Sequence, residues 1–411
     1  MAQAQYLGKR RLAPAMIFVF LSNKLITLDT ITPLLLEFKR RFPGLRFEFI
    51  CFEPSTEAAI YQNIVLSDAI QSLGRLRMLG RADRGVLGSL LHRLWIVGPI
   101  ARIALWLLHP RTRLLHFKAL NTWPLRLLSW LAPAKTIFSQ GSAVGYAAVE
   151  KRASEAMKPR NYRRIPPAGN HIMMFSEHWP WLDGYDLSNR VMHKLAPPYT
   201  LASWLSYLRQ HENRYLGEAL RHAGYDVDCE FGVVILNWLG PSTLFKNPDD
   251  TPKLLDETFE ALRDACPDLP VMIKPHPATR ARELAILDDL LRKYSSCKFV
   301  ITHLHPMMLA MRARFVVANS YSTTFGAFRF CQVPTIEYTD YAEVVLAETG
   351  GGSMRSEFVT HFINRDQTEL RRILVRYAKE PRRAAAIDGA SDIADDVFMQ
   401  LIGCRPVQVA H

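Results

Sequence analysis

The sequence predicts an α/β protein built from two doubly wound parallel sheets, on three observations. Short apolar runs alternate with helical segments from end to end, the pattern of successive βα units. At 411 residues the chain exceeds the roughly 250–300 at which a single core stops growing. A break at Ala196-Pro197-Pro198-Tyr199, a helical pattern over Leu201–His222 and the turn Ala223-Gly224-Tyr225 separate two sets of such runs. One domain is therefore expected over 1–224 and a second over 225–411.

In the first half the expected strands are Met16–Phe20, Arg46–Cys51, Leu114–Phe117, Thr136–Ser139 and His171–Phe175. In the second they are Val233–Asn237, Val271–Lys274, Phe299–Thr302, Phe315–Ala318 and Thr335–Tyr338. A helical tail, Gln367–Ile402, closes the chain, interrupted around Pro381 and Gly389. Gly350-Gly351-Gly352-Ser353 reads as a flexible loop, since no helix start follows it.

Composition narrows the class. With 49% hydrophobic and 22% charged residues the chain is globular and well away from disordered sequences. Its six cysteines are scattered without a CxxC pair, which argues against a zinc site or a disulfide framework and for a reducing, cytoplasmic compartment. The apolar run Ala15–Leu21 is too short, and too soon followed by Asn23 and Lys24, for a secretory segment.

The net charge of +12 implies an anionic partner. Basic residues concentrate in Arg75–Lys118, interleaved with Leu90, Trp95, Ile100 and Trp106, and Arg93 and Arg102 keep the run too short to span a bilayer. Two readings stay open: a helix lying on the inner face of the cytoplasmic membrane, or an internal helix whose arginines snorkel or pair with carboxylates. Nucleic acid is disfavoured, because the basic residues alternate with a leucine-rich stripe and no binding motif is present.

The strongest chemical signal is the strand Val271–Lys274 ending in Lys274-Pro275-His276-Pro277. Ligands of open parallel sheets bind beyond the carboxyl ends of the strands, and two prolines fix the intervening imidazole. A cation and an oriented imidazole there suit a phosphate oxygen whose charge grows as a glycosyl bond breaks. Arg280 adds a further candidate phosphate contact. Two strands later Asn319, Ser320, Ser322, Thr323 and Thr324 lead into a helix start, with more hydroxyls than one N-cap requires. Glu337 is a candidate ribose or base contact, or a loop acid, and Gly240 a point of close backbone approach.

In the first half Gln140, Gly141 and Ser142 follow a strand and are candidate donor or acceptor contacts. The stretch Ser176–Asp186 supplies candidate acids and bases. Deprotonating an acceptor hydroxyl needs a carboxylate or histidine, so Glu177 and His178 come first and Asp183 next. Trp179 and Trp181 suit stacking on sugar faces or plain packing.

Taken together, the KxHP turn, the Ser/Thr-rich helix start and Val333-Pro334-Thr335-Ile336 resemble the nucleotide-binding half of GT-B glycosyltransferases of bacterial surface-polysaccharide (capsule and O-antigen) assembly. The nearest motifs are those of Kdo transferases, polysialyltransferases and CDP-glycerol glycerophosphotransferases. The likeness covers about Val233–Tyr338. It departs at Gln332, where such proteins usually carry glycine, and Leu182-Asp183-Gly184 only approximates an acidic pair plus glycine.

The resemblance implies two Rossmann-like domains facing a cleft, nucleotide phosphate on Lys274, His276, Ser322 and Thr323, and a nucleotide-sugar donor as co-substrate, CMP-linked by preference. It implies an oligosaccharide or glycolipid acceptor, no further cofactor and no metal. The one DxD, Asp226-Val227-Asp228, sits at the domain joint instead of at a strand end. A sugar-nucleotide epimerase, which shares the two-domain plan, and a non-catalytic polysaccharide export or scaffold protein are the alternatives.

Overall fold

The computed structural model describes residues 16–21, 25–79, 85–142, 166–176, 179–237, 239–276, 279, 281–380 and 390–402, with the backbone path alone for 25–26, 55, 85–95 and 180. The first sheet holds β1 (Met16–Phe20), β2 (Phe47–Cys51), β3 (Gly74–Met78), β4 (Thr112–His116), β5 (Thr136–Ser139), β6 (His171–Met174) and β7 (Val191–Lys194). The second holds β8 (Phe231–Ile235), β9 (Val271–Lys274), β10 (Phe299–Ile301), β11 (Ala313–Ala318), β12 (Thr335–Thr339) and β13 (His361–Asn364). Their orders are β3-β2-β1-β4-β5-β6-β7 and β10-β9-β8-β11-β12-β13. Every pairing between these strands is parallel.

Alternation along the central strands explains why they read as unbroken apolar runs. In β1, Ile17 and Val19 enter one core while Met16, Phe18 and Phe20 enter another. Phe231, Val233 and Ile235 of β8 likewise face one core and Val234 the opposite one. A strand buried on both faces has no polar side to show.

Three strands escape the sequence pattern: β3, β7 and β13. All are edge strands, and each is partly exposed along its length, β3 as Gly-Arg-Leu-Arg-Met and β7 as Val-Met-His-Lys. Charged and polar residues on an edge suppress the apolar run and also discourage sheet-to-sheet aggregation.

The Arg75–Lys118 segment is not one helix, which corrects the sequence expectation. Arg75 and Arg77 lie in β3, a helix runs over Gly85–Leu107, and β4 follows. Ile96, Ile103 and Leu107 pack that helix onto Phe18 and Phe20. Arg77 and Arg102 both pair with Glu48, at 2.6 and 3.1 Å. Among the described residues no helix is long and apolar enough to cross a membrane.

The two sheets share a core. Leu28, Ile31 and Leu35 of the helix Leu25–Arg41 join Met307, Met308 and Leu309 of the second half in one apolar cluster, together with Trp204 and Leu208 of the helix Ala202–Glu212. The tail divides. Its helix Gln367–Lys379 packs on the second sheet's side through Leu370, Ile373 and Leu374. The final helix, Asp395–Ile402, returns to the first domain, where Phe398 meets Phe38 edge-on at 4.8 Å and stacks on Phe42 at 5.2 Å. Arg41 secures it through Asp395 at 2.8 Å and also contacts Asp392.

Candidate functional site

Each sheet reverses its strand order once, the first between β1 and β4 and the second between β8 and β11. Crevices open beyond the carboxyl ends of strands at such reversals. In the second sheet the crevice is spanned by Asn237, just past β8, whose amide donates to the Ser320 carbonyl at 3.0 Å and contacts its hydroxyl. Asn319 is buried, donating to Thr258 Oγ1 at 2.8 Å, Leu254 O at 3.2 Å and Tyr338 O at 3.3 Å. It shapes the turn from beneath. Ser322 Oγ accepts from the Thr324 amide at 3.3 Å, and Thr323 and Thr324 are half-buried.

One strand outward, β9 delivers Lys274 and His276. Lys274 is buried, and His276 is exposed at the rim. The His276 carbonyl accepts from the amide and hydroxyl of Thr279, at 2.9 and 2.6 Å, which fixes the turn.

The residue that the sequence reading missed is Asp29. It lies in the Leu25–Arg41 helix, which follows β1 and so starts at the first sheet's reversal point. Its Oδ1 stands 3.7 Å from Nε2 of His305, which follows β10 in the other domain. Among the described residues neither atom has a hydrogen-bond partner. Burial raises the Asp29 carboxyl to about 6, with Lys274 pulling the other way. Burial lowers the Lys274 ammonium, and Asp29 opposes that shift. His305 is pushed down to about 3 by burial and then by Lys274, with the Asp29 backbone opposing. His303 is lowered for the same two reasons, burial first. His305 Nδ1 accepts from the Met307 amide at 3.1 Å, so its proton sits on Nε2, toward Asp29. A carboxylate, a cation and a neutral imidazole thus converge from both domains.

A signal for Asp29 was present. Polar residues in the first turns of the helix after the first strand of a doubly wound sheet face the crevice, and Thr27, Asp29 and Thr30 are such residues.

Other expected residues divide. Gln140 is buried; its Oε1 accepts from the Phe175 amide at 2.9 Å and Ser176 Oγ at 3.2 Å, while its Nε2 has no partner among the described residues. Gly141 lies against Thr27, where an added Cβ would meet Thr27 Cγ2 at 3.4 Å, so the end of β5 borders the same crevice. Ser142 is half-buried beside it. Asp183 follows the short turn Pro180–Leu182, half-buried.

Glu337, expected as a ribose or base contact or else a solvated loop acid, is not solvated. It is fully buried and accepts from Tyr341 Oη and Ser353 Oγ, both at 2.5 Å, which ties the strand end to the glycine-rich loop. The Gly240 carbonyl accepts from Thr251 Oγ1 at 3.3 Å. Trp179 is packed against Phe138 at 5.2 Å and is buried, the plain-packing alternative. Glu177, His178, Pro277 and Arg280 lie outside the described residues.

No family model matches the sequence, and no curated protein matches it. Solved structures do match in fold. A UDP-N-acetylglucosamine 2-epimerase from Rickettsia bellii aligns over 91% of this chain and 92% of its own, at 10% identity and a TM-score of 0.51. TcCGT1 in complex with UDP aligns over 95% of this chain and 98% of its own, at 10% identity and a TM-score of 0.50. Parallel sheets of seven and six strands, each doubly wound and facing a common cleft, define the class: this is a GT-B fold.

Proposed function

We propose that this protein is a glycosyltransferase that moves a sugar from a nucleotide donor to a hydroxyl of a polysaccharide or lipid-linked acceptor. The observation that carries the reading is Asp29, a half-buried carboxylate whose buried Oδ1 has no hydrogen-bond partner among the described residues, set opposite Lys274 and His305 of the other domain. A base poised near neutrality beside a cation is what glycosyl transfer needs. Asp29 takes the proton of the acceptor hydroxyl as its oxygen attacks the anomeric carbon. The bond from that carbon to the donor phosphate breaks, and its electron pair goes to the phosphate oxygen, whose charge Lys274 and His276 meet.

The donor favoured by the motif resemblance is a CMP-activated acidic sugar such as Kdo or sialic acid. UDP sugars belong in the same test because TcCGT1 was solved with UDP. A thermal-shift panel of CMP, CDP, UDP and GDP, followed by turnover of the matching sugar nucleotide with and without acceptor, tests the reading. A nucleotide-dependent rise in melting temperature and acceptor-dependent turnover support it. No shift with any nucleotide sinks it, and turnover without acceptor assigns the site to an epimerase instead.

A further inference from the structure

We infer that the outer face of the helices Gly85–Leu107 and Arg126–Leu131 is a docking surface for an anionic lipid bilayer, an assignment independent of the reaction at the cleft. The two helices lie side by side on one face of the first sheet, sharing a core of Ile96, Ile103, Leu107, Leu125 and Leu128. Among the described residues their other side is exposed from Val97 onward. Among the described residues fourteen large apolar side chains are exposed, and seven of them fall between Val97 and Leu131. Trp123 and Trp130 are 75% and 76% exposed and Leu108 is 80% exposed, with Leu105, Leu127 and Leu131 also in solvent. Single exposed leucines are ordinary, but two tryptophans and several leucines on one layer are not.

Charge selects the occupant. From Arg84 to Val149 the sequence contains no Asp or Glu, while Arg84, Arg93, Arg102, Arg111, Arg113, Lys118, Arg126 and Lys135 all fall within it. Arg126 is exposed among the apolar residues, Arg102 is partly exposed beside its pair with Glu48, and Lys118 is exposed over the Trp181 ring at 4.6 Å. Tryptophan prefers the headgroup region, where its ring is half in hydrocarbon and its N–H in water, and the basic residues are attracted to anionic headgroups. A protein partner with an apolar and acidic face is the competing occupant, and a second copy of this basic face would repel itself.

The test uses the full chain with vesicles of phosphatidylcholine alone and of phosphatidylcholine with phosphatidylglycerol. Expected are co-flotation with the anionic vesicles, a blue shift of tryptophan emission, and at least about tenfold weaker binding in roughly 0.5 M salt. The doubly substituted Leu108→Glu, Trp130→Glu protein should lose about tenfold or more in vesicle affinity while melting within a few degrees of the parent. Trp130→Ser, a milder change at an exposed site, should lose part of the binding and keep the fold. Failure to float with anionic vesicles overturns the assignment. So does binding that the substitutions leave unchanged, or a dimer that they dissociate.

Discussion

Asp29 Oδ1 and His305 Nε2 face each other at 3.7 Å across the joint between the two domains. That separation is beyond a direct hydrogen bond. Burial and then Lys274 keep the imidazole neutral, and the Met307 amide on Nδ1 leaves its proton on Nε2, facing the carboxylate without bonding to it. Lys274 supplies the positive field on the same side.

Asp29→Asn removes the base while keeping the shape. If Asp29 carries the proton transfer, turnover of the sugar nucleotide falls by about 10²–10⁴-fold, whereas the nucleotide affinity measured by calorimetry stays within about twofold. In the parent protein the kcat/KM profile should lose activity below the Asp29 value of about 6, because protonation removes the acceptor of the hydroxyl proton. Full turnover in the Asn variant would sink the assignment.

How much of this was legible follows burial. The central strands β1, β8, β9 and β11 are buried on both sides and announce themselves as apolar runs, whereas β3, β7 and β13 are partly exposed along their length and do not. The strand end at Lys274 and the turn at His276 were legible because two prolines bracket the turn directly after an apolar run. Asp29 was not, because its meaning depends on Lys274 and His305, which only the meeting of the two domains brings beside it. Asn319 and Glu337 were placed at the right strand ends, yet their side chains turn inward, and sequence position alone does not report that direction.

Glu337 sets a second pH dependence, of the opposite sense to ordinary acid denaturation. Burial raises its carboxyl from 4.5 to about 7, against the pull of hydrogen bonds from Ser353 and Tyr341. The folded chain holds this proton more tightly than the unfolded chain, so its contribution to stability is full below about 4.5 and is lost as pH rises through about 7. Glu337→Gln should raise stability at pH 8 by on the order of 2 kcal/mol and leave it little changed at pH 4. Urea melts at the two pH values check this; equal stability of the two proteins at pH 8 contradicts it.

Gln332 adopts φ +57°, in the left-handed region. It follows the helix Phe325–Phe330, with its amide bonded to Arg329 O at 3.0 Å and the Val333 amide to Phe328 O at 2.9 Å, the paired bonds of a Schellman helix end. This physical demand is why glycine suits the position. Gln332→Gly relieves roughly 1–2 kcal/mol of backbone strain and returns roughly 0.5–1 as chain entropy, for a net gain of a few tenths to about 1 kcal/mol. A fall in melting temperature would contradict that balance.

His276 is exposed at the rim of the crevice, so its loss should affect binding and leave the fold alone. His276→Ala should lower affinity for the stabilising nucleotide by about tenfold, the worth of one charge-assisted contact. The melting temperature without nucleotide should be unchanged. Unaltered affinity would remove His276 from the phosphate site and leave the crevice spanned by Asn237 and Ser320 as the place to look.

Phe398 tests whether the domains unfold together. Its helix comes from the end of the chain, yet its ring sits against Phe38 and Phe42 of the first domain with Arg41 over its face at 4.7 Å. Phe398 belongs to the cluster that also holds Met307 and Val233 of the second domain. Truncating so buried a ring removes transfer energy and leaves a cavity, so Phe398→Ala should cost about 3–5 kcal/mol. Because the core is shared, that loss should lower a single calorimetric transition for the whole molecule instead of detaching one domain's transition from the other's. Two resolved transitions in the variant, with the second-domain one unmoved, would mean that the shared apolar cluster does not couple the domains.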